Sequence, residues 1–428
     1  MRQRIHDTLF RFFILVIALL IPVISDGGIE PKILSWVIGF FFLNWLISLD
    51  YIRTIPRLLR EPWRYRVLML SVIYYIYLAG CIYSGNPAET ERSMEVKLSL
   101  ALFPLIFATS RQAISPSMIS RSIKAYVAGC LGITLFLTGH ACYVFAAEQQ
   151  PGTFYYLKLA WFTHPSYLSM FLIFAMSAIA LHQAKSWNQQ TWLSRLSFIL
   201  LQVWFLLFII LLSSKGGILV MMLTTILFAG YLTGYRKQWK PAALVLILFT
   251  GLVYLFLVLF PYALERSHQA NQVVEQQQHS IAGRGGDSTY DRIEIWRISF
   301  RILEKNWLAG MGTGDVKEAL LEQYRLTGAQ HALEFQLNAH NQYLQTFLSI
   351  GIAGLVVLVL MLILPAITAL RKHDFHYFAF LIIFSVSILV ESMLEVQAGA
   401  IWFGFFNTLL FAGLANQPNK KAGTRPAF

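Results

Sequence analysis

Residues 338–370 read NAHNQYLQTFLSIGIAGLVVLVLMLILPAITAL. The first eight carry Asn338, His340, Asn341, Gln342 and Gln345, whereas the following residues are almost all apolar. The run 343–370 is long enough to cross a bilayer's hydrocarbon layer, about 30 Å, as one helix. A histidine therefore stands where a polar loop enters a membrane helix. Imidazole titrates near neutrality, so at a water–lipid boundary it can take a proton from a substrate hydroxyl.

Apolar runs of similar length recur outward from this point. They predict helices near residues 9–25, 31–49, 66–84, 94–109, 123–146, 162–182, 195–212, 216–235, 241–262, 343–370, 376–394 and 396–415. The expectation is an all-α integral membrane protein of about twelve transmembrane helices. The first run follows Arg2, Arg4 and Arg11 but lacks a small-residue cleavage site, and reads as a retained span. With 57% hydrophobic and 13% charged residues and a mean hydropathy of +0.57, the composition excludes an ordinary soluble domain. Cys81, Cys130 and Cys142 fall in or beside spans, with neither zinc-site nor disulfide-framework spacing.

Basic residues orient the chain. With the N-terminus inside, twenty-one of the 34 Lys and Arg fall on cytoplasmic segments, among them Arg53, Arg64, Arg121, Arg236, Lys240 and Arg371. The loop 263–340 holds eight, and Lys32, Arg92, Lys97, Lys158 and Lys215 are left for the short outer connections. This alternation follows the positive-inside rule, predicting cytoplasmic termini and an outer loop 263–340 between spans nine and ten. The net charge of +12 is then topological and calls for no nucleic-acid partner. The reading is one polytopic membrane domain over residues 1–428, capped outside by a loop of two or three helices.

Within that loop, Ser288-Thr289-Tyr290-Asp291 has the form of a capping box opening a helix to about Trp307. At 100° per residue, Ile293, Trp296, Phe300, Leu303 and Trp307 share an expected apolar face. Arg297, Arg301 and Lys305 lie opposite as a solvated or headgroup-facing stripe. Arg292 falls at the edge of the apolar face, where an unpaired guanidinium is costly. It needs an anion, either a carboxylate such as Glu391 or Glu395 or a bound phosphate. Gly310-Met311-Gly312-Thr313-Gly314 reads as a turn into a second helix, with Asp315 as its N-cap.

Other polar groups gather at the outer ends of spans. Lys215, in Ser213-Ser214-Lys215-Gly216-Gly217, is held near the membrane surface. His164-Pro165-Ser166-Tyr167 opens span six; His164 reads equally as a helix cap or a substrate group. His140, inside span five, reads as a satisfied packing histidine. Glu89, Glu91 and Glu95 form a solvated acidic loop in preference to a metal site. No Ser/His/Asp order, HExxH or cysteine-nucleophile pattern is present. One histidine and several fixed cations suit displacement of a phosphorylated leaving group by a hydroxyl.

Three segments carry a family resemblance: Leu211–Gly217; Asp291-Arg292-Ile293-Glu294-Ile295-Trp296 continuing to Gly310-Met311-Gly312; and Ala339-His340-Asn341-Gln342-Tyr343-Leu344 with Gly351. Together they resemble the Ser-Arg-Gly turn, the Arg-x-x-x-Trp block and the His-Asn block of the O-antigen ligase and polymerase superfamily of bacterial membrane glycosyltransferases. Lys215 departs from the pattern, replacing an arginine and so losing bidentate geometry. The single large outer loop resembles the ligase; polymerases more often carry two, and protein O-oligosaccharyltransferases tend to be longer. The resemblance implies metal-independent, inverting transfer of a glycan from undecaprenyl diphosphate to a sugar hydroxyl of lipid A–core. It implies no cofactor, and a site at the periplasmic face of the inner membrane. In this reading His340 is the base, while Arg292 and Lys215 hold the diphosphate, with Arg284 as a third phosphate candidate. His164, Tyr167, Asn341 and Tyr343 are further substrate-binding candidates; for Asn341 and Tyr343 helix initiation and packing is the simpler role. The rival of another class is a secondary transporter or flippase, which should show related halves and midplane ionisable groups; neither is evident.

Overall fold

A computed structural model describes residues 2–24, 33–58, 60–259 and 288–416. These residues form helices and connections, with no strand among them. The principal helices are α1 (Gln3–Val23), α2 (Ile33–Ser48), α3 (Pro62–Tyr83), α4 (Ser99–Thr109), α5 (Pro116–Glu148), α6 (Pro165–Gln189), α7 (Trp192–Leu211), α8 (Lys215–Tyr235) and α9 (Trp239–Leu259). After the outer loop come α10 (Ser288–Asn306), α11 (Val316–Thr327), α12 (Gln342–Arg371), α13 (Phe375–Val390) and α14 (Gln397–Ala415). The chain is a multi-pass membrane protein.

All twelve expected segments are helical where they are described, but a count of twelve crossings is not confirmed. Among the described residues, eight helices are long and apolar enough to cross a membrane, or nine if α2 and Asp50–Arg57, bent by 60°, form one broken span. Of the helices outside that count, α4 and α13 are short. The 11 residues of α4 and 16 of α13 span roughly 16 and 24 Å, short of a hydrocarbon layer of about 30 Å.

At the centre stands α14, whose most apolar window is 94% buried by its neighbours. It presents aromatic residues on several sides: Phe403 stacks on Phe384 at 4.0 Å, and Trp402 meets Phe174 edge-on at 5.6 Å. Helices α5 and α7 are mostly exposed and form the lipid-facing periphery.

The cap is pinned to α12 at a break in that helix. Gly351 has φ +68° and ψ −161°, a backbone that L side chains rarely adopt, and a Cβ there would run into the Leu308 carbonyl. The turn after α10 docks on the break: Met311 N–H donates to Leu348 O (2.7 Å), Gly312 N–H to Ser349 O (3.0 Å) and Ile352 N–H to Trp307 O (2.9 Å). Its glycines thus clamp a kinked helix. Asp315, expected as an N-cap, makes no side-chain cap bond; its carboxylate accepts from Gly85 N–H at 2.8 Å, tying the cap to the end of α3.

Only part of the expected apolar face of α10, Leu303 and Trp296, is turned inward. Ile295, Ile298, Ser299, Ile302 and Leu303 are buried, while Ile293, Phe300 and Trp307 are 45%, 58% and 54% exposed. Reading every apolar residue as inward fails here, because several of them stay on the outer flank of the helix. Arg297, Arg301 and Lys305 are exposed, as expected. The expected cap at Ser288 and the polar stretch 267–286 lie outside the described side chains and residues.

Candidate functional site

The imidazole of His340 is placed by an unusual backbone. His340 has φ +44°, in the left-handed region seldom used by non-glycine residues. Its N–H donates to Asn338 Oδ1 at 2.9 Å. Asn341 is the N-cap of α12, accepting from Leu344 N–H at 3.1 Å, and its own N–H donates to Ser392 Oγ at 3.1 Å. The histidine is thereby fixed at the mouth of the helix, facing the α13–α14 connection.

That connection supplies its partner. His340 Nδ1 lies 2.9 Å from Glu391 Oε1. Nδ1 donating to the carboxylate leaves Nε2 unprotonated and directed away from Glu391, the tautomer a base requires. Burial alone would raise the Glu391 carboxyl. The His340 hydrogen bond, with the charges of His340, His164 and Arg292, outweighs burial and holds it below its ordinary value.

Arg292 meets the same carboxylate from the cap, with Nη2 3.7 Å from Glu391 Oε2. This is an ion pair longer than a hydrogen bond. Among the described residues, Arg292 Nε is buried without a hydrogen-bond partner, as is Glu391 Oε2. The other expected carboxylate, Glu395, is committed elsewhere. It accepts from fully buried Lys97 at 2.6 Å and from Gln342 Nε2 at 3.0 Å. Lys97, expected on an outer surface connection, is therefore part of an internal ionic lock behind the N-terminus of α12.

The spacing of Arg292 and Trp296 has a physical reason. One turn apart on α10, they share a flank. Trp296 Nε1–H donates to Ala339 O at 2.9 Å, holding the loop that presents His340, so Arg292 and His340 are set by one helix.

Two helix starts close the site. His164 caps α6, its Nδ1 accepting from Ser166 N–H at 3.3 Å, and lies edge-on to Tyr167 at 5.8 Å. Burial pushes His164 below the ordinary imidazole value; Glu391 acts in the opposite sense, and the charges of His340 and Arg292 add to the lowering. All four groups therefore feel one another. At the start of α8, Ser214 caps Gly217 N–H at 3.1 Å, and its hydroxyl lies 3.4 Å from that of Ser166. A Cβ on Gly216 would lie 2.7 Å from Val390 Cγ2, so the Lys215 turn packs on the residue preceding Glu391. Lys215 itself is exposed.

The structure thus brings His340, Arg292, His164 and the Lys215 turn to one place. Tyr343 turns away, donating to Ser385 O at 3.1 Å in the core. Asn341 acts as a cap, and Arg284 lies outside the described residues. His140 stacks on Trp161 at 3.9 Å, but its Nδ1 has no hydrogen-bond partner among the described residues, contrary to the expectation of a satisfied histidine. Glu89, expected as solvated, pairs with Lys317 at 3.1 Å. No group of three or more His, Cys, Asp or Glu among the described residues could hold a metal ion.

The residue that sequence reasoning missed as a histidine partner is Glu391. It was expected only as an anion for Arg292, and a separation of 51 positions hides the pairing.

Residues 200–359 match the family model described as O-antigen ligase. The match covers less than half of the chain, and that stretch is similar to the O-antigen ligase family. That ligase-family stretch includes Lys215, Arg292 and His340, while His164 and Glu391 reach the site from outside it. The superfamily is one of glycosyltransferase-like enzymes. No curated protein matches the chain.

Proposed function

We propose that the protein is an O-antigen ligase, transferring a glycan from undecaprenyl diphosphate to a sugar hydroxyl of lipid A–core at the periplasmic face of the inner membrane. The observation that carries this reading is the shared carboxylate: Glu391 joins His340 to a cation, as base-assisted displacement of a diphosphate needs.

In this mechanism His340 Nε2 takes the proton of the acceptor hydroxyl. The hydroxyl oxygen forms a bond to the anomeric carbon as the bond from that carbon to the phosphate oxygen breaks, with inversion. Arg292, whose Nε has no hydrogen-bond partner among the described residues, and Lys215 receive the charge developing on the diphosphate. Arg284 is a further phosphate ligand from the outer loop. His164 and Tyr167 border the sugar as hydrogen-bonding groups. The residues present supply a base and fixed cations, so metal-independent transfer is the chemistry proposed. Both substrates are bilayer-anchored and enter laterally. The distribution of Lys and Arg supports cytoplasmic termini and an outward-facing site.

The test is transfer in vitro by the purified full chain with undecaprenyl-diphosphate glycan and rough lipopolysaccharide, in the presence of a chelator. Product on lipid A–core is expected. Extension of the donor glycan on itself would instead indicate a polymerase, and transfer to protein an O-oligosaccharyltransferase. His340→Ala should reduce turnover on the order of 10²–10⁴-fold, the range of a general base. Arg292→Ala should weaken donor binding. Full activity in a well-expressed His340→Ala variant would remove the base.

A further inference from the structure

The helices that bring His164, Lys215 and Glu391 to the site do something else at their opposite ends. There, α6, α8 and α13 enclose a cavity of about 430 Å³, with Leu181, Leu227, Gly230, Tyr231, Phe375 and Phe378 among its walls. It lies across the bundle from the candidate site. Ile226, Leu227 and Tyr235 are exposed beside it, so the cavity opens on the flank of α8 that faces lipid. An apolar void of this size does not hold ordered water, and left empty it forfeits dispersion contacts along its whole lining.

Two local features shape it. A Cβ placed on Gly230 would meet no heavy atom within 4 Å, so the missing side chain leaves open space. Immediately afterwards the helix widens into a π-turn, Tyr231–Tyr235, a distortion frequent at functional sites. The turn stacks Tyr231 on Tyr235 at 5.7 Å and sets both rings against Phe375, at 4.6 and 4.9 Å.

The rim is basic. Arg236 follows the π-turn; its Nη2 donates to Ala184 O at 3.0 Å, while its buried Nε has no hydrogen-bond partner among the described residues. Lys237 and Lys240 follow, and the His373 ring lies 5.3 Å from that of Tyr235. The neighbouring carboxylate, Asp374, is engaged in capping α13 through Tyr377 N–H at 3.1 Å.

We propose that this cavity binds one glycerophospholipid of the leaflet opposite the candidate site, an acyl chain filling the apolar groove and an anionic phosphate headgroup meeting Arg236. The occupant splints three helices whose other ends build the site. The binding is independent of the ligase reading.

The test uses the full chain in nanodiscs of mixed phosphatidylglycerol and phosphatidylethanolamine, released for native mass spectrometry. Wild type should retain one phospholipid per chain, enriched in phosphatidylglycerol. Gly230→Leu, which fills the groove, should lower retention at least 10-fold. Arg236→Gln should keep the lipid but lose the enrichment, which also tests the site should Gly230→Leu fail to fold. Absence of a stoichiometric lipid from wild type, undiminished retention in folded Gly230→Leu, unchanged enrichment in Arg236→Gln, or a polyprenyl phosphate as the retained species would each overturn the proposal.

Discussion

Glu391 is the residue on which most of the site's electrostatics turns. It is buried, faces one imidazole and one guanidinium, and retains a carboxylate oxygen without a hydrogen bond. Glu391→Gln keeps the shape but no longer selects the His340 tautomer, so turnover should fall on the order of 10²-fold while donor binding changes little. An unchanged turnover rate would separate Glu391 from the chemistry. The same group gives a pH prediction. Its folded value lies below the ordinary 4.5, so its stabilising contribution is complete above that value and is lost as pH falls through the lowered one. The difference in unfolding midpoint between wild type and Glu391→Gln should therefore be constant near neutrality and shrink below pH 4.5; a difference that grows on acidification would reverse the sign. At this scale the sequence was half legible. Arg292's need for an anion followed from its position on a helix flank. The pairing of that anion with His340 did not, because nothing local links residues 340 and 391.

Among the elements, α10 teaches the most about reading membrane sequences. Its period was visible, yet its buried side was only partly assigned, since Ile293, Phe300 and Trp307 satisfy a helical repeat as well as the residues that are buried. Apolar character marks the core only when water is the alternative neighbour. Helix α12 is the converse case: its span was plain from composition, whereas its break at Gly351 shows only where the cap docks on it. Gly351→Ala should be poorly tolerated. The left-handed backbone alone costs an L residue about 1–2 kcal/mol, and the added methyl meets the Leu308 carbonyl. A clear drop in the thermal midpoint of the purified protein is expected, and an unaltered midpoint would show that the clamp can relax.

For the whole molecule, hydropathy located the helices, but twelve crossings are not confirmed, and α4 and α13 are apolar yet short. Burial rather than span explains them: both pack on α14, where apolar side chains are core and not membrane surface. Lys97 is a similar case, counted as an outer charge but fully buried on Glu395. The proposed orientation remains testable. Cysteines introduced at Glu322 in the cap and at Gln238 beyond α8, on a chain lacking its native cysteines, should react with a membrane-impermeant thiol reagent from opposite sides of sealed vesicles. Labelling of both from one side would refute it.

A single anion gripped by two positive groups behaves like a seesaw. When His340 accepts a proton, Glu391 is drawn toward the new imidazolium, and its hold on Arg292 slackens. In the proposed mechanism this would free the guanidinium to meet the departing pyrophosphate as negative charge builds there. Proton uptake on one side and charge stabilisation on the other would then be timed by one side chain, without any movement of the backbone.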